Sequence, residues 1–284
     1  MVETNKDELA GEELLDALER GDARAASPTP DGWVTHAWVK TGILEIFKNS
    51  EVVGHSWPAA DVDAATSKAG SKTRDAKRAA ESPAPFRDKE AFPLRRFRRA
   101  DGVRLVPGGS AVRRGAHLGQ GVVCMPPMYV NVGAFVGART MIDSHALVGS
   151  CAQIGSDVHL SAAAQIGGVL EPAGARPVII EDGAFIGGGS GVYEGVLVGE
   201  QAVIGAGVIL TATTPLFDLT RGEILRGTRN EPLRVPPRAV VVPGTRPASG
   251  DFALQHGLQI ACSIIVKYRD EGTDAATALE SALR

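Results

Sequence analysis

Apolar residues recur at every sixth position through the middle of the chain, with small and polar residues between them. A period of six fits neither an α-helix nor a simple alternating strand. It predicts a triangular solenoid, in which each hexapeptide is one short strand plus a corner and three hexapeptides make one coil. The apolar positions are Val106, Val112, Leu118, Cys124, Val130, Val136, Ile142, Val148, Ile154, Leu160 and Ile166, then Ile180, Ile186, Val192, Val198, Ile204 and Leu210.

Glycine often follows these apolar positions. Glycine is favoured at corners where a Cβ would clash or where φ is positive. Stacked strands lie about 4.8 Å apart, so roughly five coils would build a prism on the order of 25 Å long. The glycines in question are Gly119, Gly137, Gly149, Gly155, Gly167, Gly187, Gly199 and Gly205.

The repeat breaks once, from Gly167 to Ile179, in a segment rich in turn-forming residues. This break predicts a loop thrown out from one corner, and loops on solenoids usually build the binding face. A second excursion, residues 211–238, predicts a hairpin or capping arm. Strand-like residues 239–242 and 260–266 then close the solenoid.

The flanking regions have a different pattern. Leucines between residues 9 and 18 and apolar residues between 39 and 47 predict two amphipathic helices. Residues 61–85 predict a surface helix or mobile loop, and residues 273–284 predict a final short helix with Thr273 or Asp274 as its N-cap. We therefore expect a helical N-terminal domain over 1–100, a β-helix over 101–210 with its loop at 167–179, and a C-terminal extension over 211–284.

Composition narrows the class of protein. The net charge of −3 gives no general pull toward nucleic acid or anionic membranes. The three cysteines are scattered, which favours a reducing compartment over a disulfide scaffold. The polar N-terminus does not resemble a signal peptide, and no apolar run is long enough to span a membrane. A cytoplasmic protein that contacts neither nucleic acid nor membrane is expected.

Several segments resemble one family of hexapeptide-repeat enzymes, the tetrahydrodipicolinate N-succinyltransferases of lysine and diaminopimelate biosynthesis. The resemblance runs in a single order from Gly32 to Lys267, and residues 50–97 match poorly. The first segment resembles a helical N-terminal motif of the family. The matching segments are Gly32–Lys40, Tyr129–Ala134, Met141–Asp143, Val148–Gly155, Gly167–Pro172, Ile179–Asp182 and Thr220–Ile224.

The resemblance implies a mainly β fold, a left-handed parallel β-helix, assembled as a homotrimer with sites between neighbouring prisms. It implies an acyl-CoA-dependent N-acyltransferase that moves succinyl from succinyl-CoA to tetrahydrodipicolinate. The coenzyme A thioester would be a co-substrate, and no permanently bound cofactor is expected.

The resemblance also assigns site residues. Asp143 matches an aspartate beside the substrate amine, where a carboxylate can accept a proton. Arg104 matches an arginine that grips a substrate carboxylate, for which a guanidinium is well shaped. Asn131 joins them as a substrate contact, and Gly187, Lys267 and Arg269 are the expected coenzyme A contacts. The simpler interpretation of Asp143 is a corner residue bonded to its own backbone.

Departures from the family cluster near this site. Gly191 stands where the family has a second acidic residue, an arginine near Gly189 is missing, and His145 replaces a tryptophan. Glu194 is a candidate replacement acid and His145 a candidate general base, although both could be ordinary corner residues. The alternatives are therefore a paralogue using acetyl-CoA or a modified acceptor, and a β-helix scaffold that has lost its chemistry.

Three other patterns bear on metal, phosphate and anion binding. The spacing of His117, His145 and His159 does not suit zinc, so no metal is expected. The run Gly187–Gly191 resembles a phosphate loop only superficially, because the six-residue repeat passes through it. The basic cluster Arg95–Arg99 predicts a solvated surface or subunit contact, with a dicarboxylate or coenzyme A phosphate as the other option.

Overall fold

The structure is a computed structural model that describes residues 9–55, 86–228 and 230–272. The elements predicted over residues 61–85 and from Thr273 onward lie outside these ranges.

The six-residue repeat folds into a parallel β-helix with three faces. Nearly every repeat forms a strand of two residues, in which the first side chain points outward and the second is buried. Each strand pairs in parallel with the strand one coil away: Val136 lies between Leu118 and Ile154. The inward side chains thus stack into one continuous apolar column, the dominant source of stability for a fold with so few aromatic residues.

We name the faces A, B and C in the order in which the chain visits them after residue 110; the strand before that point, Arg104–Leu105, belongs to face C. Face A contains β6 (Ala111–Val112), β9 (Tyr129–Val130), β12 (Leu147–Val148), β15 (Gln165–Ile166), β18 (Gly191–Val192) and β21 (Ile209–Leu210). Face B contains β7 (His117–Leu118), β10 (Phe135–Val136), β13 (Gln153–Ile154), β16 (Ile179–Ile180), β19 (Leu197–Val198) and β24 (Arg234–Val235). Face C contains β5 (Arg104–Leu105), β8 (Val123–Cys124), β11 (Met141–Ile142), β14 (His159–Leu160), β17 (Phe185–Ile186) and β20 (Val203–Ile204).

The first repeat position is the one that the sequence pattern placed wrongly. The residue aligned with Cys124 is Leu105, not Val106. The following corner contains Gly108 and Gly109, both at positive φ, and is one residue longer than the six-residue period allows. The remaining repeat positions, from Val112 to Leu210, are all buried.

The N-terminal segment packs on the corner between faces A and B. Helix α1 (Gly11–Arg20) and helix α2 (Ala37–Asn49) form at the two predicted places, and their apolar sides share a core with Val132 and Cys151 of that corner. Hairpin strands β1 (Ala26–Thr29) and β2 (Gly32–Thr35) separate the helices, and β3 (Val52–His55) pairs with β4 (Phe86–Lys89).

The motif Gly32–Lys40 is therefore helical only in its second half. Its first half is β2, because residues 30–31 form a tight turn and Gly32 adopts a φ of +120° that a helix does not contain. The indole of Trp33 then donates a hydrogen bond across to Glu181 of the β-helix at 2.8 Å.

The parallel pairing continues beyond Leu210, because β24 stacks on β19 and the start of β25 (Ala239–Pro247) stacks on β20. The excursion between them contains the predicted hairpin, β22 (Leu216–Asp218) with β23 (Glu223–Leu225). Strand β25 forms a long antiparallel pair with β26 (Gln259–Tyr268), and the short helix α3 (Asp251–Gln255) lies at its tip.

Asp218 holds this terminal sheet together, and we expect Asp218→Asn to lower the free energy of unfolding by about 2 kcal/mol at pH 7. The buried carboxylate accepts hydrogen bonds from the backbone and hydroxyl of Thr220 (2.9 and 2.7 Å) and from Tyr268 (2.8 Å). Burial alone would raise the pKa of Asp218, but these hydrogen bonds outweigh it and the pKa is lowered.

Because the folded-state pKa is the lower one, the stabilisation is present above the unfolded value near 4 and disappears as the pH falls below it. Urea unfolding at pH 7 and pH 3 should therefore show a difference between wild type and Asp218→Asn that shrinks in acid. Asp270→Asn, which removes an exposed ion pair with Lys267, is the control and should change little at either pH. If the difference in free energy of unfolding between wild type and Asp218→Asn did not change with pH, the charge of Asp218 would not be its source.

Candidate functional site

Asp143 lies at the corner between faces C and A, directly after β11. It is partly buried, and its Oδ1 accepts a hydrogen bond from the backbone N–H of Ser144 at 2.7 Å. Its second oxygen, Oδ2, makes no hydrogen bond to any described residue. One oxygen thus fixes the side chain on the corner while the other can meet a ligand.

His145 follows Asp143 on the same corner. It adopts a φ of 63°, its side chain is exposed, and its backbone N–H donates to the carbonyl of Pro127 one coil earlier. Gln165, one coil later, donates to the carbonyl of His145 at 3.2 Å. The left-handed corner conformation aims this imidazole into solvent beside Asp143, where a base or a ligand contact is sterically allowed.

Two coils beyond Asp143, the same corner is almost bare backbone. Residues 187–189 are all glycine, and the space above Gly189 where a Cβ would project is open. The backbone N–H of Gly188 has no hydrogen-bond partner among the described residues. A narrow chain could therefore lie against this corner and find an amide donor there.

Tyr193 fills the place that a side chain at position 191 would occupy. A Cβ on Gly191 would lie 2.3 Å from Cε2 and 2.7 Å from the hydroxyl of Tyr193. Residues two apart on a strand share a face, so the ring folds back over the glycine. The phenol ring of Tyr193 thus occupies the space above Gly191.

Arg104 lies on the same face as the strand before Asp143, and Asn131 lies at another corner. Arg104 is exposed on the first strand of face C, two strands from Met141, hence about 10 Å away along the axis. Asn131 lies at the next corner, between faces A and B, where its Oδ1 accepts from Val132 N at 2.9 Å and from Arg113 and Tyr129 at 3.3 Å. Its acceptor oxygen is thus already engaged in local structure.

The remaining predicted residues lie on other corners. Glu194, between faces A and B, accepts a hydrogen bond from Ala212 N at 3.1 Å. Lys267 pairs with Asp270 at 2.9 Å, and Arg269 donates to the carbonyls of Gly183 and Gln201 at 3.3 and 3.2 Å. A single protomer therefore places Asp143, His145 and Gly187 along one corner and Arg104 on the face that leads into it, and leaves Asn131, Glu194, Lys267 and Arg269 on other parts of the prism.

The loop between β15 and β16 projects from the β-helix at the place where the break in the repeat predicted it. Lys40 of α2 is buried and donates to the carbonyl of Ala175, and burial lowers the pKa of this ammonium, partly offset by Cys151. Arg176 donates to the carbonyls of Gly195 and Pro232, both at 2.9 Å. The loop so held covers a cavity of about 830 Å³ that Glu194 also lines, within the range of small-molecule sites.

Two classes of site find no support among the described residues. The described residues contain no group of three or more His, Cys, Asp or Glu side chains able to hold a metal ion. None of their helices is long and apolar enough to cross a membrane.

The family models and the curated relatives that match this chain agree with one another. Residues 3–48 match the N-terminal model of tetrahydrodipicolinate N-succinyltransferases, and residues 177–212 match the hexapeptide repeat of succinyl-transferases. The 2,3,4,5-tetrahydropyridine-2,6-dicarboxylate N-succinyltransferase of Xylella fastidiosa is 41% identical over 95% of this chain and 86% of its own. The enzymes of the same name from Paramagnetospirillum magneticum (41%) and Nitrobacter winogradskyi (42%) each align over 97% of this chain and 89% of their own.

Proposed function

Because the chain belongs to the tetrahydrodipicolinate N-succinyltransferase family, we propose that it transfers the succinyl group of succinyl-CoA to the nitrogen of tetrahydrodipicolinate in lysine biosynthesis. The observation that carries this proposal is the 41% identity to a relative of that name over 95% of the chain. Succinyl-CoA is a co-substrate rather than a bound cofactor.

The proposed chemistry is amide formation from a thioester. Tetrahydrodipicolinate is a cyclic imine, so one water adds across its C=N bond and opens the ring to an amine and a ketone. This amine attacks the thioester carbonyl and loses a proton, the C–S bond breaks, and coenzyme A leaves as a thiol. The unpaired Oδ2 of Asp143 supports a role in taking the proton from the attacking amine. Arg104 is proposed to hold an acceptor carboxylate, and the N–H of Gly188 can stabilise the developing oxyanion.

We further propose a left-handed coil and a homotrimer in the cytoplasm, with residues 1–100 as the helical N-terminal domain, 101–210 as the β-helix and 211–284 as the extension. The scatter of predicted residues over three corners supports a trimer, because neighbouring prisms can bring different corners together. Asn131, Glu194, Lys267 and Arg269 would then meet Asp143 and Gly187 of an adjacent subunit.

A second candidate is transfer of another acyl group, such as acetyl. The observation in its favour is Tyr193, whose ring occupies the space of the acidic side chain expected at Gly191. A phenol in place of a carboxylate changes the charge of the site by one unit, which can alter the choice of donor or acceptor.

We expect succinyl-CoA to be used with a kcat/KM at least about tenfold above that of acetyl-CoA, a difference of about 1.4 kcal/mol in transition-state binding. The measurement is thiol release with tetrahydrodipicolinate as acceptor, and a reaction without acceptor corrects for hydrolysis. Preference for acetyl-CoA would select the second candidate. The absence of thiol release with both donors would indicate the inactive scaffold.

A further inference from the structure

A second cavity, of about 600 Å³, lies between the β1–β2 hairpin and face B. Arg24 and Trp33 form one wall, and Asp182 and Glu200 belong to the opposite corner, between faces B and C. Asp143 lies at a different corner, between faces C and A, and lines no part of this cavity.

Arg24 presents to this cavity a positive charge that touches no carboxylate of the described residues. Its guanidinium lies 3.6 Å from the ring centre of Phe135, and its Nε donates to Gln153 Oε1 at 3.0 Å. No carboxylate among the described residues lies within 4.0 Å of it, and its Nη groups have no hydrogen-bond partner there. Burial lowers the pKa of Arg24 to about 10, partly offset by Asp182, so the cation lies at a partly desolvated place.

The opposite wall carries carboxylate oxygens that accept no hydrogen bond from the described residues. Both oxygens of Glu181 are engaged, by Trp33 Nε1 and by the backbone N–H of Glu200. Asp182 uses Oδ1 to accept from Ser156 N at 2.8 Å, which leaves Oδ2, and the carboxylate of Glu200 has no partner among the described residues. Opposite charges thus face one another across the cavity without contact.

A strip of glycines forms part of the floor between the two walls. Gly119, Gly137 and Gly155 stack in successive coils, and a Cβ on any of them would lie within 3.0 Å of backbone atoms of the next coil. With the ring of Phe135 beside it, this strip suits an unbranched aliphatic chain.

We propose that this cavity binds a free α-amino acid with an unbranched aliphatic side chain. The ligand's carboxylate lies against the Nη groups of Arg24, its ammonium group against Asp182 and Glu200, and its side chain along the glycine strip. Such a zwitterion supplies the charge partners that each wall lacks, which is the complementarity that gives specificity in a partly desolvated site. This binding does not depend on the proposed acyl transfer.

Three probes of matched length test the charges separately: L-norleucine, hexanoate without the amine, and pentylamine without the carboxylate. Isothermal titration calorimetry should show that norleucine binds at least tenfold more tightly than either of the others. Glu200→Gln should weaken norleucine and pentylamine at least threefold and leave hexanoate unchanged. Arg24→Gln should weaken norleucine and hexanoate and leave pentylamine unchanged.

Glu223→Gln, which removes an exposed charge on β23, is the matched control and should bind all three probes like the wild type. If Arg24→Gln disturbs the docking of the hairpin, the proposal is still tested by the affinities of the three probes for the wild type and for Glu200→Gln, a change at an exposed residue. Equal affinity for the three probes would overturn the proposal, as would Glu200→Gln behaving like Glu223→Gln.

Discussion

Asp143→Asn is expected to reduce kcat/KM for acyl transfer by about 10²-fold or more, the usual contribution of a positioned general base. Asparagine keeps the shape of aspartate, and its Oδ1 can still accept the 2.7 Å hydrogen bond from Ser144 N that fixes the corner. It removes the charge and the basicity of Oδ2. The substitution therefore separates a chemical role from the structural role that an aspartate at a corner can have.

The control is Asp157→Asn, which changes another aspartate at a corner. Asp157 adopts a φ of 58° and pairs with Arg139 on an exposed surface, so the loss of its charge should alter the rate less than twofold. Thiol release and thermal unfolding are measured for both variants. Retention of more than a third of the wild-type rate by Asp143→Asn would show that the carboxylate only shapes the corner.

The period of six was sufficient to predict most of the fold because it depends on one physical requirement. The repeat position of each coil is apolar because water cannot reach it, and Ile142 or Ile186 has no exposed surface at all. The break at residues 167–178 and the hairpin at β22–β23 followed from the same rule. The error at Val106 arose because the extra residue near Gly108 and Gly109 changes the corner without changing the apolar composition.

The chemistry of the surface was harder to predict, because outward side chains obey no such rule. Nothing in the single letter at position 191 indicates that Tyr193 folds back over it; that contact depends on the direction of a side chain two residues away. The contact of Arg24 with Phe135 joins residues far apart in sequence, and only docking of the N-terminal hairpin creates it. Asp143 stays a prediction that rests on the family motif around it.

Gly168→Ala is expected to lower the free energy of unfolding by about 3 kcal/mol, and the melting temperature by roughly 6–12 °C, through forced overpacking. A Cβ on Gly168 would lie 2.2 Å from Ser150 N and 2.8 Å from Gly149 C, both backbone atoms in the middle of the prism. These atoms belong to stacked coils and cannot move singly. The base of the loop must shift outward instead, which breaks the hydrogen bond from Val169 N to Ser150 O at 3.1 Å.

Gly174→Ala provides the matched control within the same loop. No atom lies within 4 Å of its ideal Cβ, and its φ is outside the left-handed region, so alanine there should be neutral or slightly stabilising. Thermal unfolding of the two variants compares the same chemical change at a crowded and an open position. Equal melting temperatures would contradict the close approach. Because Lys40 binds the loop at Ala175, a displaced base also pulls on that buried hydrogen bond, so Gly168→Ala should lower acyl transfer beyond its effect on stability.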